Sequence, residues 1–253
     1  SVLRVECMTA SKIVPLFVLP MGIFPLTQEP LRVFEPRYKQ MLDDCVLEDA
    51  PFGYVATINP PEGVGGWAMP AEYGVLCTAD GLEEQGSNLL FTASGETRFR
   101  VVEVLPASLP ARDFGEIFPS VDELVEEYIE ESPDGKLYLR AEIEALPPLR
   151  EIVHNDRWNR LVRRWSEHIV EIDSLVRASG MGLEDVLPIM EGEFLPYTES
   201  GLWSACQSIL DGYDDRQRAL ASEEAGQVMD VLEGALGDKK AQMDAIRFMM
   251  ESE

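Results

Sequence analysis

Two histidines (His154, His168), four cysteines (Cys7, Cys45, Cys77, Cys206) and five lysines (Lys12, Lys39, Lys136, Lys239, Lys240) are the side chains of this 253-residue chain best suited to nucleophilic, acid–base or metal chemistry. Their spacing supports none of these. No Cys-x-x-Cys pair and no zinc pattern occurs. There is no P-loop, no Gly-x-Gly-x-x-Gly, no Gly-x-Ser-x-Gly elbow and no His-Glu-x-x-His. His154 lies beside Asn155 and Asp156 at a helix start, and His168 borders a tryptophan stripe, so each reads as structural or solvent-facing. No lysine has the small-residue surroundings of a Ser-Lys dyad. We expect no catalytic residues, no metal site and no cofactor. The lack of cysteine pairing points to free thiols in a reducing compartment, with Cys45 and Cys77 as core packing.

The charges narrow the partners. Twenty-one Lys+Arg against 46 Asp+Glu leave a net charge of −25. Such a surface repels phosphate backbones and anionic membranes, and it favours solubility or basic partners. The densest basic cluster is Arg157, Arg160, Arg163 and Arg164 around Trp158 and Trp165. With Glu151, Glu167 and Glu171 close by, it reads as the salt-bridged outer face of an amphipathic helix. Residues 113–131 carry eight acidic side chains and no basic one. They form either a solvated helix or an acidic docking surface.

The elements that position these residues change period near residue 148. Residues 13–38 are apolar and broken by Pro15, Pro20, Pro25, Pro30 and Pro36. Proline excludes a helix through them and a fully paired central strand, so they should be short extended pieces, 14–19 and 31–34, ending at a helix. Pro36 suits the first position of that helix, 36–48, with Tyr38, Met41, Leu42 and Cys45 on one face. Strands are expected at 52–58, 74–79, 89–94 and 98–105, with turns at Asp80-Gly81 and Gly95. Residues 137–146 alternate apolar and polar side chains, a strand with Tyr138, Arg140, Glu142 and Glu144 on the wet face. Between strands, residues 59–73 form a long Gly/Pro loop carrying Trp67 and Met69. Residues 106–136 read as an insertion whose helix, 121–131, starts at a Ser120/Glu123 capping box. Beyond Pro147-Pro148, helices are expected at about 158–176, 183–190, 200–210, 222–236 and 241–250.

Short strands with Gly/Pro turns suggest a small barrel, followed by a helical bundle: an α+β fold. The domains read as an N-terminal lead-in, 1–11, a barrel at 12–148 and a bundle at 149–253; the sequence leaves open whether 1–7 is native. The longest apolar stretch, 13–26, is too short and too broken to span a bilayer. No signal-peptide cleavage site follows it. We expect a soluble, cytoplasmic protein that does not engage membranes.

Several motifs together resemble the amino-terminal domain of Lon proteases, and the stand-alone proteins that carry it. They are Pro15-Leu16-Phe17, Phe24-Pro25, Pro30-Leu31, Phe34-Glu35-Pro36-Arg37-Tyr38 and Phe52-Gly53; then Gly74-Val75-Leu76, Gly95-Glu96-Thr97-Arg98-Phe99-Arg100-Val101 and Tyr138-Leu139-Arg140-Ala141-Glu142-Ile143. The resemblance implies a PUA-like β-barrel with one helix, then a helical bundle. It also implies recognition of unfolded or specific protein clients, with a link to protein quality control. The ATPase and Ser-Lys peptidase parts of Lon have no counterpart here, so no proteolytic role is carried over. Phe34, Glu35, Pro36, Arg37, Tyr38, Arg98 and Phe99 read as architecture: Phe34 and Tyr38 packing under the barrel, and Arg37 or Arg98 pairing with Glu35. Trp67 and Met69 are the candidate peptide contacts, because aromatic and Met side chains on a loop are costly to expose unless a partner covers them; the plainer reading folds them back onto the barrel. RNA binding is the alternative function, since PUA-like barrels include RNA readers, and the net charge argues against it. Client identity and oligomeric state are not readable from the sequence.

Overall fold

A computed structural model describes residues 11–58, 63–64, 67–109, 118–130, 134–176 and 180–251. The expected lead-in, most of residues 59–66 and residues 110–117 lie outside the described residues; the remainder of the expected 59–73 loop is largely strand, at Trp67–Ala68 and from Pro70 onward, where it pairs with neighbouring chain. The chain divides into two compact units, 1–147 and 148–253.

The first unit is built on one six-stranded sheet: β1 (Lys12–Leu19), β2 (Gln28–Val33), β3 (Phe52–Thr57), β6 (Pro70–Gln85), β7 (Asn88–Leu105) and β8 (Arg140–Ala145), in the order β2-β7-β6-β3-β1-β8. A two-residue pair, β4 (Gly63–Val64) and β5 (Trp67–Ala68), stands apart. β1 and β3 run parallel, and their crossover contains β2 and helix α1 (Pro36–Glu48). All other pairings in the sheet are antiparallel. β7 hydrogen-bonds to β6 on one edge and returns to β8 with its last residues, so the pairings close a circuit β7-β6-β3-β1-β8-β7.

The prolines sit where a strand tolerates a missing donor. Lys12–Pro15 of β1 pairs with β8 and Leu16–Leu19 with β3, so Pro15 falls where the strand changes partners. Pro30 lies in the edge strand β2, and Pro70 begins β6. Under α1, the face carrying Phe17, Phe52, Tyr54 and Phe91 forms a chain of edge-on aromatic contacts that reaches Tyr38.

Three expectations fail here, each for a local reason. Asp80-Gly81 is not a turn: β6 runs on to Gln85, and the register shift between Asp80 and Glu83 absorbs Gly81 at φ +63° as a bulge. Gly95 is not a turn either, because β7 is continuous through it. A Cβ there would stand 2.5 Å from the carbonyl oxygen of Phe24, so glycine permits a close backbone approach. The period of two fails at 137–139, where Leu137, Tyr138 and Leu139 are all buried. α1 holds this stretch. Gln40 accepts from the backbone N–H of Leu137 and donates to the Gly135 carbonyl, and Asp44 accepts from the Tyr138 hydroxyl (2.6 Å) and Lys136 Nζ (2.8 Å). Helix α2 (Val121–Tyr128) starts at the Ser120/Glu123 capping box and buries Leu124.

The second unit is helical: α3 (Asn155–Val176), α4 (Leu183–Phe194), α5 (Glu199–Ile209), α6 (Tyr213–Ala221) and α7 (Ala225–Glu251). Two elements differ from the sequence expectation. α6 is an additional helix, and the two expected final helices are one, because Gly234 and Gly237 are tolerated inside it. The tryptophan stripe forms the core. Trp158 is fully buried and donates from Nε1 to the Phe194 carbonyl (2.7 Å), while Trp165 packs on the Phe194 ring. Arg157 bridges to Asp230 and Glu233 of α7, and Arg163 pairs with Glu167. No helix among the described residues is long and apolar enough to cross a membrane.

Candidate functional site

The chain approaches α1 in extended conformation and turns at Glu35, whose carbonyl accepts from Tyr38 N and Lys39 N. Pro36 follows at the first helical position, where its missing N–H costs nothing. The Glu35 carboxylate does not cap the helix; it accepts a 2.8 Å bond from Arg37 Nε. The Arg37 guanidinium then lies over two rings, 4.2 Å from the Tyr38 centroid and 3.8 Å from that of Trp67. Its stacking is the cation–π arrangement in which a planar guanidinium excels. Tyr38 is buried, donating its hydroxyl proton to the Val18 carbonyl at 2.8 Å and accepting from Val18 N at 3.3 Å. Burial pushes its phenol up to about 12.

Trp67 belongs to this cluster. Its Nε1 donates to the Leu109 carbonyl at 2.6 Å, and its ring packs, half-buried, against the cluster of Leu109, Leu124 and Leu137 together with Val121, Val125 and Tyr128. It therefore links the loop to α2 and, through Arg37, to α1. Met69 is half-buried, and its carbonyl accepts from Ile58 N. Phe34 departs from the expectation. It is 49 % exposed, and its ring meets Phe118 at 5.7 Å. The cause is the alternation of β2: Val33 points inward at 3 % exposure, so the next side chain turns outward. Phe34, Glu35, Arg37 and Trp67 thus gather on one approach to α1, with Phe118 alongside. Phe118 and the Leu109 carbonyl carried no sequence signal.

Among the described residues no group of His, Cys, Asp and Glu is placed to hold a metal ion. What the site offers is an aromatic shelf tied to α1 through Arg37 and to α2 through Trp67.

The sequence matches the family described as the "ATP-dependent protease La (LON) substrate-binding domain" over residues 13–230. The chain belongs to that family. No curated protein matches it significantly. Among solved structures, the N-terminal domain of a Mycobacterium avium complex Lon protease is 14 % identical, with a TM-score of 0.52 over 90 % of this chain and 99 % of that one. A Lon N-terminal domain protein from Xanthomonas campestris is 19 % identical, with a TM-score of 0.49 over 88 % and 98 %.

Within this LON substrate-binding domain, the remaining motif residues are load points of the sheet. Phe99 is fully buried. A Cβ added at Gly53 would come within 2.8 Å of its ring, and one at Gly74 within 2.6 Å, so both glycines exist to admit that ring. Arg98, 4 % exposed, donates from Nη2 to the Pro147 carbonyl at 2.7 Å, and its own carbonyl accepts from Leu146 N. It fastens β7 to the chain just past β8. Of the two arginines expected beside Glu35, Arg37 makes that pair.

Proposed function

We propose that this chain is a non-catalytic module that binds unfolded or loosely folded protein clients in the cytoplasm, in the service of protein quality control. In this reading the closed strand circuit is a PUA-like barrel, and the shelf on its approach to α1 is a client contact. The observation that carries the proposal is Phe34: a large aromatic left half-exposed beside Phe118, on a backbone fixed by Glu35, Arg37 and Trp67. Rigid aromatic anchors of this kind supply contact area at little entropic cost. Met69 is the second contact, and Trp67 supports the shelf from behind. Membership of a substrate-binding family supports the class of activity. Buried free thiols at Cys45, Cys77 and Cys206 are consistent with a reducing compartment.

Fluorescence polarisation with labelled, reduced and carboxymethylated lactalbumin tests the proposal. Phe34→Ser combined with Met69→Ala should weaken capture about tenfold, as loss of an interface anchor does, while leaving the melting temperature unchanged. Undiminished capture by the double variant would remove the shelf from the function.

A further inference from the structure

Between β7 and β8 the chain leaves the sheet and returns to where it left: Ser108 N donates to the Lys136 carbonyl at 2.8 Å. An excursion with closed ends is packed by its own side chains and behaves as a local unit. Here Leu109, Leu124 and Leu137 form a hydrophobic cluster, with Trp67 and Tyr128 packed against it. The two feet of the excursion are held from outside it. Trp67 Nε1 donates to the Leu109 carbonyl, and on α1 Gln40 accepts from Leu137 N and Asp44 from Lys136 Nζ.

The middle of the excursion is held far less. α2 has eight residues and buries Leu124 alone. A helix that short is marginal by itself, and few buried contacts mark a segment that opens at low cost. It rests on Gly135, at φ +62°, with Val125 Cγ1 3.2 Å from where a Cβ would stand. The residues leading into α2 do something further. Phe118, two residues before the Ser120 cap, is half-buried, and its ring lies 5.7 Å from that of Phe34 at an interplanar angle of 56°. Aromatic pairs prefer centroid separations of about 4.5–7 Å in tilted or edge-on arrangements. Phe118 therefore already fills a place on Phe34 in which an aromatic side chain of a client would settle.

We propose that Phe118 and α2 form a self-occluding flap over the shelf, with Phe118 standing in for an aromatic side chain of the client. A client bearing such a side chain displaces Phe118, and α2 swings away on the feet at Ser108–Leu109 and Asp134–Leu137. Phe34, Arg37 and Trp67 stay in place, because Arg37 stacks on Trp67 and Trp67 is bonded to the foot at Leu109. The inference rests on the client-binding reading above and adds the regulation of that same site. Apparent affinity falls by the fraction of molecules whose flap is open. An aromatic pair of this kind accounts for about a two- to tenfold effect.

The test uses the full chain and labelled, carboxymethylated lactalbumin. Phe118→Ser should tighten capture about two- to tenfold. Ser120→Ala, which alters neither ring and loosens α2 by removing its cap, should shift affinity in the same direction. Amide exchange in α2 of the unaltered chain should rise when the client is added, because the helix is displaced. Weaker or unchanged capture by Phe118→Ser overturns the inference. Slower exchange in α2 on addition of client overturns it too, and would make the helix part of the contact. Should Phe118→Ser not fold, the exchange measurement decides alone. Either failure leaves the shelf in place as long as Phe34→Ser with Met69→Ala loses capture. Undiminished capture by that double variant overturns the shelf, and the flap with it.

Discussion

Arg37 makes three contacts at once: an ion pair to Glu35 and stacking on Tyr38 and Trp67. Its stacked guanidinium contributes about 0.5–2 kcal/mol at a partly desolvated site. Trp67→Ala removes that ring, the bond to the Leu109 carbonyl and the packing on Leu124 together, so it should cost about 3 kcal/mol in denaturant unfolding, as large-to-small changes do. Phe34→Ser should cost under about 0.5 kcal/mol, as surface changes do. A variant pair with the opposite ranking would show that Phe34, not Trp67, is the structural residue. The same distinction applies to Gly74. Its Cβ would meet the Phe99 ring at 2.6 Å and the Tyr54 carbonyl at 2.9 Å. Gly74→Ala should destabilise by about 1–3 kcal/mol through overpacking. Phe99→Leu in the same chain should recover part of that loss, an interaction that a thermodynamic cycle reads directly.

At the scale of elements, what holds the excursion from the sheet is the grip of α1 and the cap of α2. Ser120 and Glu123 satisfy each other's backbone N–H groups, and hydrogen bonding from Ser120 holds the Glu123 carboxyl below its usual range. Ser120→Ala should cost about 1 kcal/mol, and amide exchange should rise through α2 while the core of β7 stays protected. This helix, its cap and all of α1 could be read from the sequence, because capping and a 3–4 apolar period are local signals. The bulge at Gly81, the straight course of β7 through Gly95 and the burial of Tyr138 could not. Each depends on a partner far along the chain, whether a register shift, the Phe24 carbonyl or Asp44. The candidate site was half legible for the same reason. Trp67 and the residues of α1's first turn were picked out by type, whereas the Leu109 carbonyl and Phe118 that complete the shelf carry no signal of their own. On the seam of α3 and α7, His168 gives a pH prediction. Burial, and next Lys239, hold its imidazole below the usual range, against weaker opposing effects of Glu171 and Asp211; Arg164, Glu167 and Lys240 line the same cleft. A depressed folded value means that the stabilisation is present above the unfolded value of about 6.5 and is lost as pH falls through it. Melting temperature should drop from pH 7.5 towards pH 5.5, and His168→Gln should reduce that slope.

At the scale of the molecule, the charge of −25 governs what the surface will meet. Many ion pairs already engage the basic residues: Arg157 with α7, Arg150 with Glu223 and Glu224, Lys136 with Asp44. The uncompensated charge is therefore acidic and repels itself in the folded state. Salt shortens the range of that repulsion to about 8 Å at physiological ionic strength. Raising sodium chloride from low concentration to about that level should raise the melting temperature, the reverse of a fold stabilised by surface ion pairs. The same field gives a test that separates a protein binder from a nucleic-acid reader. A nucleic-acid reader gains affinity by releasing counterions from phosphates, and its binding falls steeply with salt. Here the arginine cluster on α3, the densest basic stretch of the sequence, has Arg157 and Arg163 tied to carboxylates. A filter-binding assay with single-stranded RNA at low salt should therefore retain nothing above background, while carboxymethylated lactalbumin is captured under the same conditions. Retention of RNA with a steep salt slope would put the basic side chains, rather than the aromatic shelf, at the centre of the function.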